Sequence, residues 1–222
     1  LVGGATRLTD SGLSITEWDF MKHVIPPTSE AAWKTEFALY QRTMEYQAQN
    51  NGMSLEEFRA IYWWEWGHRF LGQALGLAFL LPALLFFVTG RLRGRFRVTL
   101  LLFALGGLQG AIGWWMVTSG LFDRLDVSPV RLAIHLTMAF VILALALWTA
   151  LGAFAWPSRE SRFGAPRWCL FALMSLVLVQ VVFGALLAGS DGGAAYADWP
   201  RIGGDWIPSS AFLLEPVWRN FT

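Results

Sequence analysis

Residues 70–90 read FLGQALGLAFLLPALLFFVTG and decide the fold, because no Asp, Glu, Lys or Arg interrupts them. Three further segments share this property, namely residues 98–122, 132–158 and 168–190. Each is longer than the roughly 20 residues that an α-helix needs to cross a bilayer, and none shows the polar face of a soluble helix. The sequence therefore predicts an all-α polytopic membrane protein made of four-helix transmembrane bundles.

The charged residues predict how these spans are oriented. The short loops 91–97 and 157–167 contain seven arginines and one glutamate, whereas residues 8–65 contain nine acidic and four basic residues. Short basic loops stay on the inner side of a membrane, so residues 8–65, 123–131 and 191–222 are expected outside. Arginines divided between two such loops fit this topology better than nucleic acid. We therefore predict that the protein contacts membrane lipid and does not bind nucleic acid.

An internal repeat predicts two bundles. DSGLSITEW at residues 10–18 and DGGAAYADW at 191–199 share D-x-G, four residues, an acid and Trp. The second copy follows a full span and the first copy does not, so we expect a fragment with missing ends; a complete protein with one orphan loop is the alternative. The first expected bundle is residues 1–156, with a mostly missing first helix, an outer loop at 9–64 and spans near 68–90, 98–118 and 130–156. The second is residues 157–222, with a span near 168–190 and an outer loop at 191–222.

Two histidines are the candidate metal ligands. His68 and His135 each lie near the outer end of a span that runs inward, and imidazoles inside membrane segments mark function by default. We predict that both ligate one heme iron; interfacial histidines bonded to backbone or lipid headgroups are the alternative. Gly72 and Gly76 continue the face of His68, and Gly110 belongs to a similar stripe on the next span. These glycines would admit a porphyrin, or else let helices pack closely.

Charged residues beside the histidines complete the candidate site. Arg69 and Arg131 are placed to pair with heme carboxylates, or else extend to the lipid interface. Glu65, three residues before His68, would orient an imidazole or transfer protons near the ring edge. Its alternative role is to start the helix, where the dipole favours negative charge.

Four motifs resemble heme A synthase, in its mitochondrial and alphaproteobacterial form. They are GGATRLTDSGLS at residues 3–14, E-x-x-H-R at 65–69, QGAIGW at 109–114 and R-L-A-x-H at 131–135. The resemblance covers nearly the whole chain. It implies eight helices in two bundles, each with a histidine pair for one heme, in the bacterial inner membrane or the mitochondrial inner membrane, with the heme near the outer or periplasmic face.

The resemblance also implies an activity. Heme O, bound by His68 and His135, would be oxidised at a methyl group to a formyl group through successive hydroxylations, with Glu65 as the catalytic glutamate. The product, heme A, is used by cytochrome c oxidase. Heme b would occupy the second bundle, whose ligands are not in this chain. Implied partners are heme O synthase, an electron-transfer partner, oxidase assembly factors and a second copy of the chain.

Two other functions remain open at this stage. A bis-histidine b-type membrane cytochrome would only transfer electrons, although it has no need of Glu65, and a non-catalytic heme chaperone would carry heme unchanged. Some bacterial relatives have a cysteine pair in the first outer loop, which this chain lacks; Cys169 is expected to be a structural apolar residue. Within the loop, helices are predicted to begin at Thr28 or Ser29 and at Ser54, either covering the heme edge or docking a partner. His23 is expected at the surface.

Overall fold

The computed structural model describes residues 1–19, 24–92, 94–122, 124–153, 167–195, 198 and 201–207. His23 and the loop at 157–166 lie outside these residues. The described chain is helical, with only an isolated bridge between Ile202 and Asp205. The helices are α1 (Val2–Leu8), α2 (Glu30–Tyr40), α3 (Met44–Ala48), α4 (Leu55–Val88), α5 (Phe96–Phe122), α6 (Pro129–Leu151), α7 (Arg167–Gly189) and α8 (Gly192–Ala195).

Four of these helices, α4, α5, α6 and α7, are long and apolar enough to cross a membrane. They confirm the predicted all-α polytopic membrane fold. Large apolar side chains along them are more than half exposed in the protein alone, including Leu75, Phe87 and Leu173. A soluble protein rarely exposes so much contiguous apolar surface, whereas lipid would cover it.

The helix that contains the predicted span near 68–90 begins earlier, at Leu55, directly after the predicted cap Ser54. Ser54 caps it with a full capping box, in which the Ser54 side chain accepts from Glu57 N and the Glu57 carboxylate accepts from Ser54 N. The expected loop helix and the expected span are therefore one helix of 34 residues. No proline lies between its start and the apolar run, so nothing in the sequence breaks it.

The chain divides into two compact units, Leu1–Val127 and Ser128–Thr222. In the second unit α6 packs against α7. A Cβ placed on Gly189 would lie 2.8 Å from Pro129 Cα, so this close approach of the two helices requires glycine. The division into bundles at residue 156 remains a prediction.

An aromatic cap, formed by α2, α3 and residues 55–62 of α4, occupies the first unit beside the apolar part of α4. Ser29 caps α2 by accepting from Ala32 N, as predicted; α3, which follows a turn at Thr43, was not predicted. The cap has a buried core of aromatic and aliphatic side chains, contributed by Ile15, Trp33, Tyr40, Phe58 and Tyr62. The segment between α1 and the apolar part of α4 is thus a packed structure with a core of its own.

A buried carboxyl group lies inside this cap. The Tyr40 hydroxyl lies 3.2 Å from Glu45 Oε1 and donates to it, while Asn50 Nδ2 donates to the Tyr40 hydroxyl over 2.7 Å. The pKa of Glu45 is raised to about 8, mainly by burial. The Tyr40 hydrogen bond lowers this pKa, and the nearby carboxylates of Asp126, Glu65 and Asp10 raise it. Glu45 therefore keeps its proton at neutral pH.

The sequence repeat has a counterpart in the backbone. Asp10 follows α1 with φ 45°, and Asp191 follows α7 with φ 51°. These are the first residues of the two repeat copies, and no other non-glycine residue of the described chain has a positive φ. A left-handed conformation is uncommon for residues with a side chain, although aspartate tolerates it better than most. Both copies thus begin with the same helix-ending turn.

Candidate functional site

Glu65 is the most enclosed group of the predicted site. Only 3% of its surface is exposed, and both carboxylate oxygens have donors. Ser14 Oγ lies 2.8 Å and Ile15 N 2.7 Å from Oε2, while Arg69 Nη2 lies 2.5 Å from Oε1. Burying a carboxylate is costly unless such donors surround it. The structure therefore holds the Glu65 carboxylate in one orientation.

Arg69 connects three parts of the first unit. Besides its ion pair with Glu65, its Nη2 donates to Ile15 O over 2.8 Å and its Nη1 to Glu17 O over 3.4 Å. Its guanidinium carbon lies 5.8 Å from the centre of a Trp114 ring on α5, within the range of a cation–π contact. In this structure Arg69 orients Glu65 and the loop that contains Ile15 and Glu17. Its pairing with heme carboxylates remains a prediction.

The loop over Glu65, residues 11–16, is called here the clasp loop. Its start is fixed to α1, because Ser11 N donates to Thr6 O over 3.0 Å. Its middle is fixed to α5, because Leu13 packs against Val117 and Leu121. Ser14 and Ile15 then present their donors to Glu65. These residues were not singled out from the sequence, although they lie within its repeated motif, which was the available signal.

His68 lies one helical turn beyond Glu65 on α4, as predicted, and its imidazole is half-buried. The ring rests against α1, where a Cβ placed on Gly3 would lie 3.0 Å from Nε2. The segment carrying GGATRLTDSGLS thus contacts both predicted functional groups of α4.

The predicted glycines of this unit face open space. A Cβ placed on Gly72, Gly76 or Gly110 would have no described heavy atom within 4 Å. Within the described residues these glycines make no close helix contact, and both of their proposed roles remain predictions. Their exposed backbone leaves room for a flat ligand, as the predicted porphyrin contact requires.

The remaining predicted residues belong to the second unit. Arg131 and His135 lie one turn apart on α6, and both are half-buried. His68 and His135 therefore belong to different compact units. Their joint ligation of one iron remains a prediction.

These features define a polytopic helical membrane protein with a buried, fully hydrogen-bonded glutamate one turn from a histidine, on a helix long enough to span the bilayer. The chain belongs to the COX15-CtaA family, described as cytochrome oxidase assembly protein, whose model matches residues 1–222. This confirms the family resemblance carried by the four motifs.

Relatives named heme A synthase are similar over nearly the whole chain. The protein of Maricaulis maris (strain MCS10) is 54% identical over 209 residues, which cover 94% of this chain and 61% of that protein. The protein of Chelativorans sp. (strain BNC1) is 52% identical over 221 residues, covering 99% and 61%. That of Parvibaculum lavamentivorans is 47% identical over 222 residues, covering 100% and 64%. The chain thus spans about three fifths of their length. No solved structure matches it.

Proposed function

We propose that this chain is the substrate-binding part of a heme A synthase, a membrane oxidoreductase that converts a methyl group of heme O into the formyl group of heme A. Its relatives carry that name, and the observation that carries the proposal is the Glu65 carboxylate. It is buried, has donors on both oxygens and lies one turn from His68. A protein that only transfers electrons has no need of a carboxylate oriented in this way.

The substrate would be held by groups on several helices. His68 and His135 would hold the heme iron, and the open faces at Gly72, Gly76 and Gly110 would receive the ring. Heme O brings the iron and the methyl group to be oxidised. Arg69 and Arg131 pair with its carboxylates. A second heme, of the b type, belongs to the part of the protein outside this chain.

Glu65 has the chemical role in this proposal. With water as the oxygen source, conversion of the methyl group to a formyl group gives up four protons and four electrons. The electron-transfer partner takes the electrons, and a carboxylate near the ring edge can accept protons or stabilise positive charge at the reacting carbon. Ser14, Ile15 and Arg69 fix the direction of the carboxylate before substrate arrives. Such preorganisation means that the group need not reorient during the reaction.

The family supports a setting for this proposed reaction. We place the protein in the bacterial inner membrane, or in the mitochondrial inner membrane of a eukaryote, with the heme site near the outer face. Heme O synthase would supply the substrate, an electron-transfer partner would remove electrons, and assembly factors of cytochrome oxidase would receive the product.

The test is product analysis of the full-length protein, purified from cells that supply heme O. Its hemes are extracted in acid acetone and separated by chromatography. We expect heme A from the wild type and none from Glu65→Gln, with heme still bound. Glu45→Gln is the matched control, because Glu45 is also buried in the first unit but belongs to the cap.

Three other results of this product analysis would contradict the proposal. Wild-type yields of heme A from Glu65→Gln would remove the catalytic role of Glu65. Heme b alone from the wild type would indicate an electron-transfer cytochrome, and bound heme O that is never converted would indicate a chaperone.

A further inference from the structure

Two consecutive glycines of α1 differ in what they face. A Cβ placed on Gly3 would lie 3.0 Å from Nε2, 3.2 Å from Cε1 and 3.7 Å from Cδ2 of His68, whereas a Cβ placed on Gly4 would have nothing within 4 Å. These three atoms are Nε2 and its two neighbours in the ring. A methyl group at Gly3 would therefore press on the part of the imidazole that carries Nε2.

Neither side of this contact can easily withdraw. On the α1 side, the Thr6 hydroxyl donates to Gly3 O over 2.7 Å, and Thr6 O accepts from Ser11 at the start of the clasp loop. On the α4 side, Glu65 is held by the same loop through Ser14 and Ile15. Because both backbones are tied to the clasp loop, an added methyl group would be accommodated chiefly by rotation of the ring.

We propose that Gly3 is a positioning residue for His68, whose missing side chain leaves the space that the imidazole needs and thereby sets the direction of its nitrogen. This inference rests on the proposed function, in which that nitrogen ligates the iron of the substrate heme. A ligand that is turned away from the iron weakens the bond even though the residue itself is present.

Gly3→Ala tests this in the full-length protein, with Gly4→Ala as the matched control that adds the same methyl group to the same helix. Heme O plus heme A per protein measures the heme of the proposed site, and heme b in the same extract measures the other site. We expect Gly3→Ala to retain about tenfold less heme O plus heme A, as for other residues that orient metal ligands. The low-spin ferric signal of that heme in electron paramagnetic resonance should fall with it, while Gly4→Ala matches the wild type.

A double-mutant cycle makes the test independent of heme. Gly3→Ala should lower the unfolding temperature of the heme-depleted protein when His68 is present and have no effect in the His68→Ala background, because the methyl group then meets no ring. Equal effects in both backgrounds would overturn the proposed contact.

The remaining outcomes separate this inference from the proposed function. If His68→Ala loses heme O and heme A but Gly3→Ala behaves like Gly4→Ala, Gly3 is not a positioning residue and the proposed function stands. If His68→Ala keeps its heme O and heme A, His68 is not the ligand, and both the ligation and the role given to Gly3 are wrong.

Discussion

Replacing Ser14 by alanine separates the orientation of Glu65 from its presence. The Ser14 hydroxyl lies 2.8 Å from Glu65 Oε2 and 2.9 Å from Ser11 O, so its single proton is shared between two acceptors. A hydrogen bond to a charged group contributes about 1.5–3 kcal/mol. Because the proton is shared, we expect the lower end of this range, which corresponds to about tenfold in rate. Ile15 N and Arg69 still hold the carboxylate in the variant.

Ser11→Ala is the matched control, because Ser11 is equally buried in the clasp loop and its hydroxyl lies 3.1 Å from Thr6 O, away from Glu65. Removing a neutral hydrogen bond of this kind costs about 1 kcal/mol of stability. The assay measures the rate of heme A formation per bound heme O, together with the thermal unfolding midpoint in detergent.

Ser14→Ala should lower the rate about tenfold, while Ser11→Ala lowers only the unfolding midpoint. The reasoning is refuted if the two variants form heme A at equal rates, because Ser14 would then act only through the stability of the loop.

Two further predictions concern the first unit. A Cβ at Gly120 would lie 2.7 Å from Leu13 Cδ1 and 3.2 Å from the backbone of Asp126. Gly120→Ala should therefore destabilise the protein by about 1–3 kcal/mol, measured by denaturation in detergent. Gly107→Ala, at a position that faces open space on the same helix, should not destabilise it, and equal unfolding midpoints for the two variants would contradict this packing. The pKa of Glu45 is about 8 in the folded protein, against an ordinary value of 4.5 in the unfolded chain. Between these pH values the folded state binds more protons than the unfolded state. The free energy of unfolding therefore falls as the pH rises through this window, by at most about 5 kcal/mol. Thermal midpoints measured across this window should lose that slope in Glu45→Gln, and a slope that persists would assign it to other groups.

The sequence was sufficient to predict the spans and two helix starts. Charge-free segments predict transmembrane helices because, in lipid, the backbone polar groups must be hydrogen-bonded within the chain. Ser54 and Glu57 together form a complete capping-box signal for a helix start. The predicted helix from Ser54 and the predicted span near 68–90 form one continuous helix, which the change from an amphipathic to an apolar pattern did not reveal. A change of surroundings along a helix does not by itself end it.

The candidate site was predicted only in part. Glu65 and His68 stand out because charged and imidazole groups are costly near lipid. Their partners Ser14, Ile15 and Gly3 are common residues that lie 50 to 65 positions away (68 − 3 = 65 for Gly3), and only tertiary structure brings them to α4. The direction of a serine hydroxyl or the space above a glycine leaves no pattern along the chain.

The unbroken α4 has a mechanical consequence. Phe58 and Tyr62 anchor one end of the helix in the cap, and His68 follows within about 10 Å on the same rod, at 1.5 Å per residue. A protein that grips the cap and tilts it therefore turns the imidazole by the same angle, with no hinge between them to absorb the motion. A tilt of the cap would therefore reach His68 as a rotation of its imidazole.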